Sequence, residues 1–373
     1  MLNQRAAVER QTGAEGGLVF VVGLLVLFGL VMGYSASAPF SLRHYGTSAH
    51  LFLKQLAAAA VGLVLLVALS RFDYRRLRDV DTVLLAGSLL LTLVTLVPIP
   101  RVTDGSWLLL GPFAFQPTEF AKLALVVYLA ASIERKGERV RSFSQGVLPF
   151  VLVLALFSGV VIQQPDLGMI LVLGAITVIM LFLGGARPLH LGLLALSTVP
   201  IVFVAIKVAP YRLARLLSFL DPYTYSTSSG YQMIQSLTAI GSGGVLGRGL
   251  GASRAKLFYL PQAHSDFVFS ITAEELGLLG SLVVLALFAA FAYWTLQVAE
   301  RAPDRFGRLL ALGIGFSISF QALLNLAVAV GIVPVTGLTL PFISNGGSSL
   351  VASLAATGVL LNVARQGGHS CGS

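Results

Sequence analysis

The sequence predicts an all-α, polytopic membrane protein with about ten transmembrane helices, both termini cytoplasmic and one long extracytoplasmic loop before the eighth helix. Three observations carry this expectation. Of the 373 residues, 11% are charged and 56% hydrophobic, whereas a soluble domain has about 25% charged residues. Mean hydropathy is +0.87. The 25 Lys and Arg residues outnumber the 16 Asp and Glu residues, and most cations fall at alternate ends of the apolar stretches. The same composition excludes a disordered chain. A single cysteine, Cys371, excludes a disulfide-stapled secreted domain.

A helix needs about 20 mostly apolar residues to cross a bilayer. Ten stretches qualify: 17–35, 51–70, 81–99, 118–133, 146–163, 168–185, 189–208, 267–298, 309–332 and 347–364. The polar stretch 1–16 resembles a signal-peptide n-region. The apolar run behind it is too long for a signal h-region and no A-x-A site follows, so it reads as a cytoplasmic tail before an uncleaved span. The chain thus divides into a tail (1–16), a transmembrane domain (17–365) and a C-terminal tail (366–373). The eighth stretch exceeds a bilayer's need and is expected to tilt or to begin in the interface.

Lys and Arg in short loops set orientation. Arg5 and Arg10 precede the first span, and Arg71, Arg75, Arg76 and Arg78 follow the second. Arg135, Lys136, Arg139 and Arg141 follow the fourth, Arg187 the sixth, Arg301, Arg305 and Arg308 the eighth, and Arg365 the tenth. With alternating spans all of these lie on one side, the cytoplasm. The opposite side holds a loop at 209–266, longer than structureless connections usually are. Its glycine-rich middle, GSGGVLGRGLG, follows no strand and lacks the Lys-Ser/Thr ending of a phosphate loop. Its glycines suit tight turns and close packing.

The remaining ionisable groups lie outside or within the membrane, where such groups mark functional sites by default. Glu119 and Lys122 share a helix face at the start of the fourth span. They form either a self-satisfied ion pair or a cation held towards an anionic headgroup. Asp166, beside Pro165, opens the sixth span and suits a helix cap or a site. Asp266 opens the eighth span, with Ser265 as a possible N-cap, and is flanked by His264 and preceded by Lys256. Glu274, about 12 Å deeper along the helix, is expected to be a buried acid paired with another span. In GLTLPFISNGGSSL (337–350), Pro341, Gly346 and Gly347 mark non-helical backbone at membrane depth, tolerated only where it is buried or lines a cavity. Ser348 and Ser349 then open the tenth span, where hydroxyls at a helix N-terminus suit an anion. The five histidines are scattered and no H-E-x-x-H occurs, which argues against a zinc site. These residues describe an outward-facing polar cavity suited to an anionic lipid or a diphosphate, and they leave open whether it moves or reacts such a molecule.

Five segments occur in order: LGPFAFQPTEFAKL (110–123), QQPDLG (163–168), GYQMIQSLTAIGSGGVLGRGLGASRAKLFYLPQAHSDFVF (230–269), AEELG (273–277) and GLTLPFISNGGSS (337–349). Together they resemble the SEDS family (shape, elongation, division and sporulation) of FtsW, RodA and SpoVE. GLTLP and ASRAKLFYLP are more similar to the FtsW and SpoVE branch than to RodA. The resemblance implies a multi-pass protein of the bacterial cytoplasmic membrane. It implies a peptidoglycan glycosyltransferase that polymerises lipid II, carried on undecaprenyl diphosphate, at the outer membrane face for septal wall synthesis. The implied partners are a class B penicillin-binding protein, other divisome proteins and membrane lipids, with no nucleic acid. The family's essential acid falls on Asp266, its Glu and Lys of the QPxExxK block on Glu119 and Lys122, and the acid of QPDLG on Asp166. Gln164, Arg212, Arg215, Gln235, Ser236, Lys256, His264, Ser348 and Ser349 join these as candidate substrate contacts. Three positions depart from the usual family pattern: Ser106 before Trp107, Asn345 before GGSS, and Thr336 before GLTLP.

The expected mechanism has Asp266 as general base towards an attacking sugar hydroxyl. Lys122, Arg212, Arg215 and Lys256 are candidate cations for the diphosphate leaving group, with or without a divalent ion (Mg or Mn). The alternatives are a lipid II flippase or transporter, a RodA-type elongation polymerase, and a non-catalytic scaffold.

Overall fold

The computed structural model describes residues 2–97, 102–103, 105–111, 113–164, 166–196, 210–226 and 230–369. The helices are α1 (Leu2–Tyr45), α2 (His50–Arg71), α3 (Asp81–Val94), α4 (Pro117–Lys136), α5 (Leu148–Val161) and α6 (Leu167–Leu183). They continue with α7 (188–196), α8 (Pro210–Leu220), α9 (Tyr231–Gly243), α10 (Val268–Glu300), α11 (Arg305–Ala329) and α12 (Gly347–His369). Six of the described segments are long and apolar enough to cross a membrane: Gly13–Tyr45, α2, Phe143–Val161, α10, α11 and Gly347–Gly367. Helices α3 and α6 are apolar but shorter, with 14 and 17 residues. The fold is thus an all-α polytopic membrane protein. The seventh expected stretch, 189–208, is described only as far as residue 196.

Local chemistry accounts for the ends of these elements. Helix α4 begins with Pro117 in its first turn and Glu119 close behind, and ends with Arg135, Lys136 and a left-handed Gly137. Proline suits a helix start and glycine its end, and the charges oppose the helix dipole at both ends. Asp166 caps α6 by accepting from the Met169 N–H at 3.0 Å, so its capping role is realised. Asp304 caps α11 by accepting from Gly307 N–H at 2.7 Å.

Helices α1, α2, α4, α10, α11 and α12 pack around a common apolar core that includes Leu25, Leu129, Phe291, Leu310 and Leu360. The Arg-rich ends carry ion pairs. Arg75 meets Asp304 at 3.1 Å, Arg135 meets Asp81 at 2.6 Å and Arg365 meets Glu15 at 2.6 Å. The cations expected to mark the cytoplasmic face therefore also tie helices to one another.

Several expectations change. The 209–266 segment is not one irregular loop, because α8 and α9 lie within it. Helix α1 runs unbroken across the 16/17 boundary, and α12 continues past residue 365 to His369, since nothing at either boundary stops a helix. A small antiparallel sheet, β1 (Val102–Thr103), β2 (Trp107–Leu110) and β3 (Phe113–Phe115), leads into α4, with Leu108 opposite Phe115. Ser265 is not the N-cap of α10. That helix starts at Val268 after Phe267, without a side-chain cap. Gln262, in the left-handed region at φ 55°, instead offers its carbonyl to the N–H groups of Ser265, Asp266 and Phe267.

Candidate active site

The candidate site is built where the 244–266 segment reaches α10. Gly277 interrupts α10 at φ 67°, ψ −160°. Gly247, at φ 77°, lies against it: a Cβ on Gly277 would fall 2.3 Å from the Gly247 nitrogen. Only glycine permits both the positive φ and this approach. The backbones then pair. Arg248 and Gly249 N–H groups donate to the Glu274 and Glu275 carbonyls, and Leu278 N–H donates to Gly244.

The two buried carboxylates beside this break hold the following strap. Glu274 accepts from the Ser253 hydroxyl at 2.5 Å, from Arg254 N–H at 3.0 Å and from Ala255 N–H at 3.2 Å. Glu275 accepts from Gly251 N–H at 2.9 Å and from Ser35 at 2.8 Å, and pairs with Lys256 at 2.6 Å. Glu274 is thus a buried acid as expected, but its partners are the strap and Arg248 at 3.5 Å, not another span. Lys256 is itself buried and engaged by Glu275 and by Ser35 at 2.8 Å. Its charge is committed to this clamp, which removes it from the cations expected to meet a diphosphate.

Beyond the strap, three successive carbonyls are pinned from across the fold. His264 accepts from Asn345 N–H at 2.9 Å and Ser265 from the Ser344 hydroxyl. Asp266 accepts from Asn325 Nδ2 at 2.8 Å, and the same amide donates to Leu338 at 2.6 Å. Residues 333–346 are non-helical, as the sequence predicts, and Leu338, Leu340, Phe342 and Ile343 are buried. The backbone of Asp266 is therefore fixed, while its carboxylate makes no ion pair with a described cation. A Cβ on Gly337 would lie 4.0 Å from Asp266 Oδ2. Burial raises the Asp266 pKa to about 6, against the lowering effects of Ser265 and of the Arg215 charge. Asp166 is also raised to about 6, chiefly by burial, with Met169 N–H pulling it down; the charges of Glu119, Lys122 and Asp266 act on it in turn. Asp166, Glu119, Lys122 and Asp266 thus belong to one electrostatic neighbourhood.

Lys122 pairs with Glu119 at 2.6 Å and donates to Gln321 Oε1. These groups line a small cavity of about 20 Å³ with Ser317 and Ser353, room for about one water. Gln116 joins the start of α4 to the site, donating from Nε2 to Asp166 at 3.2 Å and from its N–H to Ser348 at 3.0 Å. Ser348 donates to Ala114 at 3.2 Å, so it fastens the sheet to α12. The Ser349 and Thr118 hydroxyls are buried without a hydrogen-bond partner among the described residues.

A larger cavity of about 290 Å³ adjoins the Asp266 turn, lined by Arg215, Ser218, Tyr231, Gln232, Pro261 and Val335 among others. Arg215 lines this cavity and its charge acts on Asp266. Two expected contacts sit elsewhere. Gln164 is buried and donates to Thr95 at 2.7 Å, facing α3. Ser236 is buried between the Ser270 hydroxyl at 2.6 Å and the Ala329 carbonyl at 2.7 Å, and fastens α9 to α10 and α11. Gln235 is half-buried on α9. His264 is half-buried against Phe40, ring centroids 4.8 Å apart, and burial lowers its pKa. The Arg212 side chain lies outside the described residues. Among the described residues no three His, Cys, Asp or Glu side chains converge as a metal site. Gln116, Gln321, Asn325 and Glu275 were not singled out from sequence. Gln321 and Asn325 carried a signal, as polar residues inside an apolar span.

Comparison with known proteins places this geometry. The family model for FtsW, RodA and SpoVE, described as "Cell cycle protein", matches residues 17–369. A Trichlorobacter lovleyi protein named probable peptidoglycan glycosyltransferase FtsW is 42% identical over 349 residues, covering 93% of this chain and 92% of its own. Stage V sporulation protein E of Bacillus subtilis is 39% identical over 363 residues, covering 95% and 98%. A solved chain from work on structural coordination of polymerization and crosslinking by a peptidoglycan synthase complex has a TM-score of 0.77 at 34% identity, over 94% of this chain and 97% of that one. The rod shape determining protein RodA of Thermus thermophilus has a TM-score of 0.68 at 31% identity, over 94% and 96%.

Proposed function

Because this chain belongs to the FtsW, RodA and SpoVE family of cell cycle proteins, we propose that its outward cavity polymerises lipid II with Asp266 as the general base. The protein is a multi-pass bacterial membrane protein and a peptidoglycan glycosyltransferase, and its FtsW-named relatives fit the division role. The observation that carries the assignment of Asp266 is the contrast within its own residue: a carbonyl pinned by Asn325 and a carboxylate free of any ion pair with a described cation. Such a group is fixed in position and free to take a proton.

The attacking hydroxyl of one lipid-linked sugar loses its proton to an Asp266 carboxylate oxygen. The hydroxyl oxygen bonds to the anomeric carbon of the growing chain. The bond from that carbon to undecaprenyl diphosphate breaks, and the diphosphate leaves with the electron pair. Preorganised positive charge stabilises such a leaving group. Arg215, whose charge already acts on Asp266, is the described cation best placed for this. Lys122 is held by Glu119, and its charge acts on Asp166. A divalent ion would supply further charge to the diphosphate, and no step here depends on one. A carboxylate with a pKa near 6 is ionised at neutral pH yet basic enough to help, which general-base catalysis favours.

We assign a class B penicillin-binding protein and other division proteins as partners; the likeness to a chain of a peptidoglycan synthase complex supports this. The test is purified protein with lipid II. The wild type is expected to give glycan chains on a gel, and Asp266→Ala to give folded protein with almost none. Transbilayer movement of lipid II without product would point to a flippase instead.

A further inference from the structure

At the Arg-rich end of α5 and α7, remote in sequence from the motif blocks, lies an open cavity of about 400 Å³. It is lined by Glu138, Arg141, Ser142, Phe143, Arg187 and His190. Two guanidinium groups face a single carboxylate there. Arg141 is paired with Glu138 at 3.1 Å, and both are exposed. Arg187, just before α7, is exposed and makes no ion pair with a described acid. The His190 Nδ1 atom is buried without a hydrogen-bond partner among the described residues, its ring held edge-on by Phe143 at 5.5 Å. A planar guanidinium, an imidazole nitrogen and the Ser142 hydroxyl around a cationic hollow suit a phosphate oxyanion.

The surroundings indicate where that phosphate comes from. Leu148 and Leu152 on α5 and Leu189 and Leu193 on α7 are exposed apolar side chains. Each pair is four residues apart and so shares a helix face. The exposed apolar surface of both helices therefore starts beside the cationic hollow. A free phosphate would use only the hollow, whereas a phospholipid uses both. Basic pockets between helices on the cytoplasmic side recognise anionic headgroups in this way.

We propose that this cavity binds the phosphate headgroup of an anionic glycerophospholipid, with its acyl chains along α5 and α7. Arg187 and Arg141 supply the charge, His190 and Ser142 the short-range hydrogen bonds, and Glu138 acts as a counter-ion that the headgroup displaces. Glu138 therefore weakens binding.

The full chain in detergent, titrated with phosphatidylglycerol or phosphatidylcholine and followed by native mass spectrometry, tests this. Phosphatidylglycerol is expected to be retained preferentially. Arg187→Gln should lower its affinity about fivefold, and Arg141→Gln with Arg187→Gln further still. Glu138→Gln should raise it. These side chains are exposed, and thermal unfolding of each variant checks that it is folded. Equal retention of the two lipids, an unaltered double variant, or weaker binding by Glu138→Gln would each overturn the proposal. Displacement of phosphatidylglycerol by equimolar inorganic phosphate would overturn the lipid assignment and leave a free-phosphate site.

Discussion

Asp266 and the pair Glu274–Glu275 are acids on one short stretch of chain, and the protein treats them in opposite ways. Glu274 and Glu275 are almost fully buried and saturated: backbone N–H groups, two serines, Arg248 and Lys256 all converge on them. Asp266 has its backbone pinned and its carboxylate without an ion pair to a described cation, with burial holding its pKa near 6. A buried charge is tolerable when its partners are complete, and such a group has no capacity left for a substrate. The chemistry is therefore proposed for the acid whose backbone is fixed and whose carboxylate makes no ion pair with a described cation. Glu119 and Lys122 stand between the two extremes, paired with each other yet bordering a small cavity and acting on Asp166.

The largest effect is expected at Asp266. Loss of a general base costs about 10²–10⁴-fold in rate, so Asp266→Ala should abolish most lipid II polymerisation while leaving the thermal unfolding temperature near that of the wild type. At the clamp the consequences should invert. Lys256→Met leaves Glu275 buried without its cation, which costs about 3–5 kcal/mol and should appear as a strongly lowered unfolding temperature. Activity measured below that temperature should fall less than in Asp266→Ala.

Asn325→Ala should give an intermediate result. It frees the Asp266 and Leu338 carbonyls at once, and a misplacement of about 1 Å can cost up to 10²-fold in rate. The expected sign is a fall in kcat larger than any change in KM for lipid II.

The smallest effect concerns pH. The folded pKa of Asp266 is raised from 3.8 to about 6, and only the ionised form accepts a proton. Polymerisation should therefore rise with pH through about 6 and level off above it. Arg215 lowers that pKa, so Arg215→Gln should move the inflection to higher pH. A profile without an inflection in that region, or an inflection that moves downward in the variant, would break the link between Arg215 and Asp266.

Much of this contrast was legible in the sequence, for identifiable reasons. Apolar length located the six described segments long enough to cross a membrane, because a bilayer imposes a nearly fixed helix length. The proline and glycines of 337–350 announced non-helical backbone, and Asp166 announced a cap. Partners distant in sequence were not legible. Glu274 and Lys256 each looked available because their partners, the strap amides and Glu275, are brought together only by the Gly247–Gly277 contact. Helices α8 and α9 were hidden because their polar and glycine residues read as loop, although Ser236 packs α9 against α10 and α11. Ser265 looked like a cap from local preference alone, whereas a left-handed Gln262 supplies its carbonyl instead.

The most direct test of the central claim compares Asp266→Asn with Glu275→Gln in the same purified preparations, measuring lipid II polymerisation and thermal unfolding together. Both changes remove a charge with little change of shape. The expected result is crossed: Asp266→Asn loses polymerisation without losing stability, and Glu275→Gln loses stability first. Full polymerisation by Asp266→Asn, or a stability loss there equal to that of Glu275→Gln, would contradict the division of labour between the open acid and the closed pair.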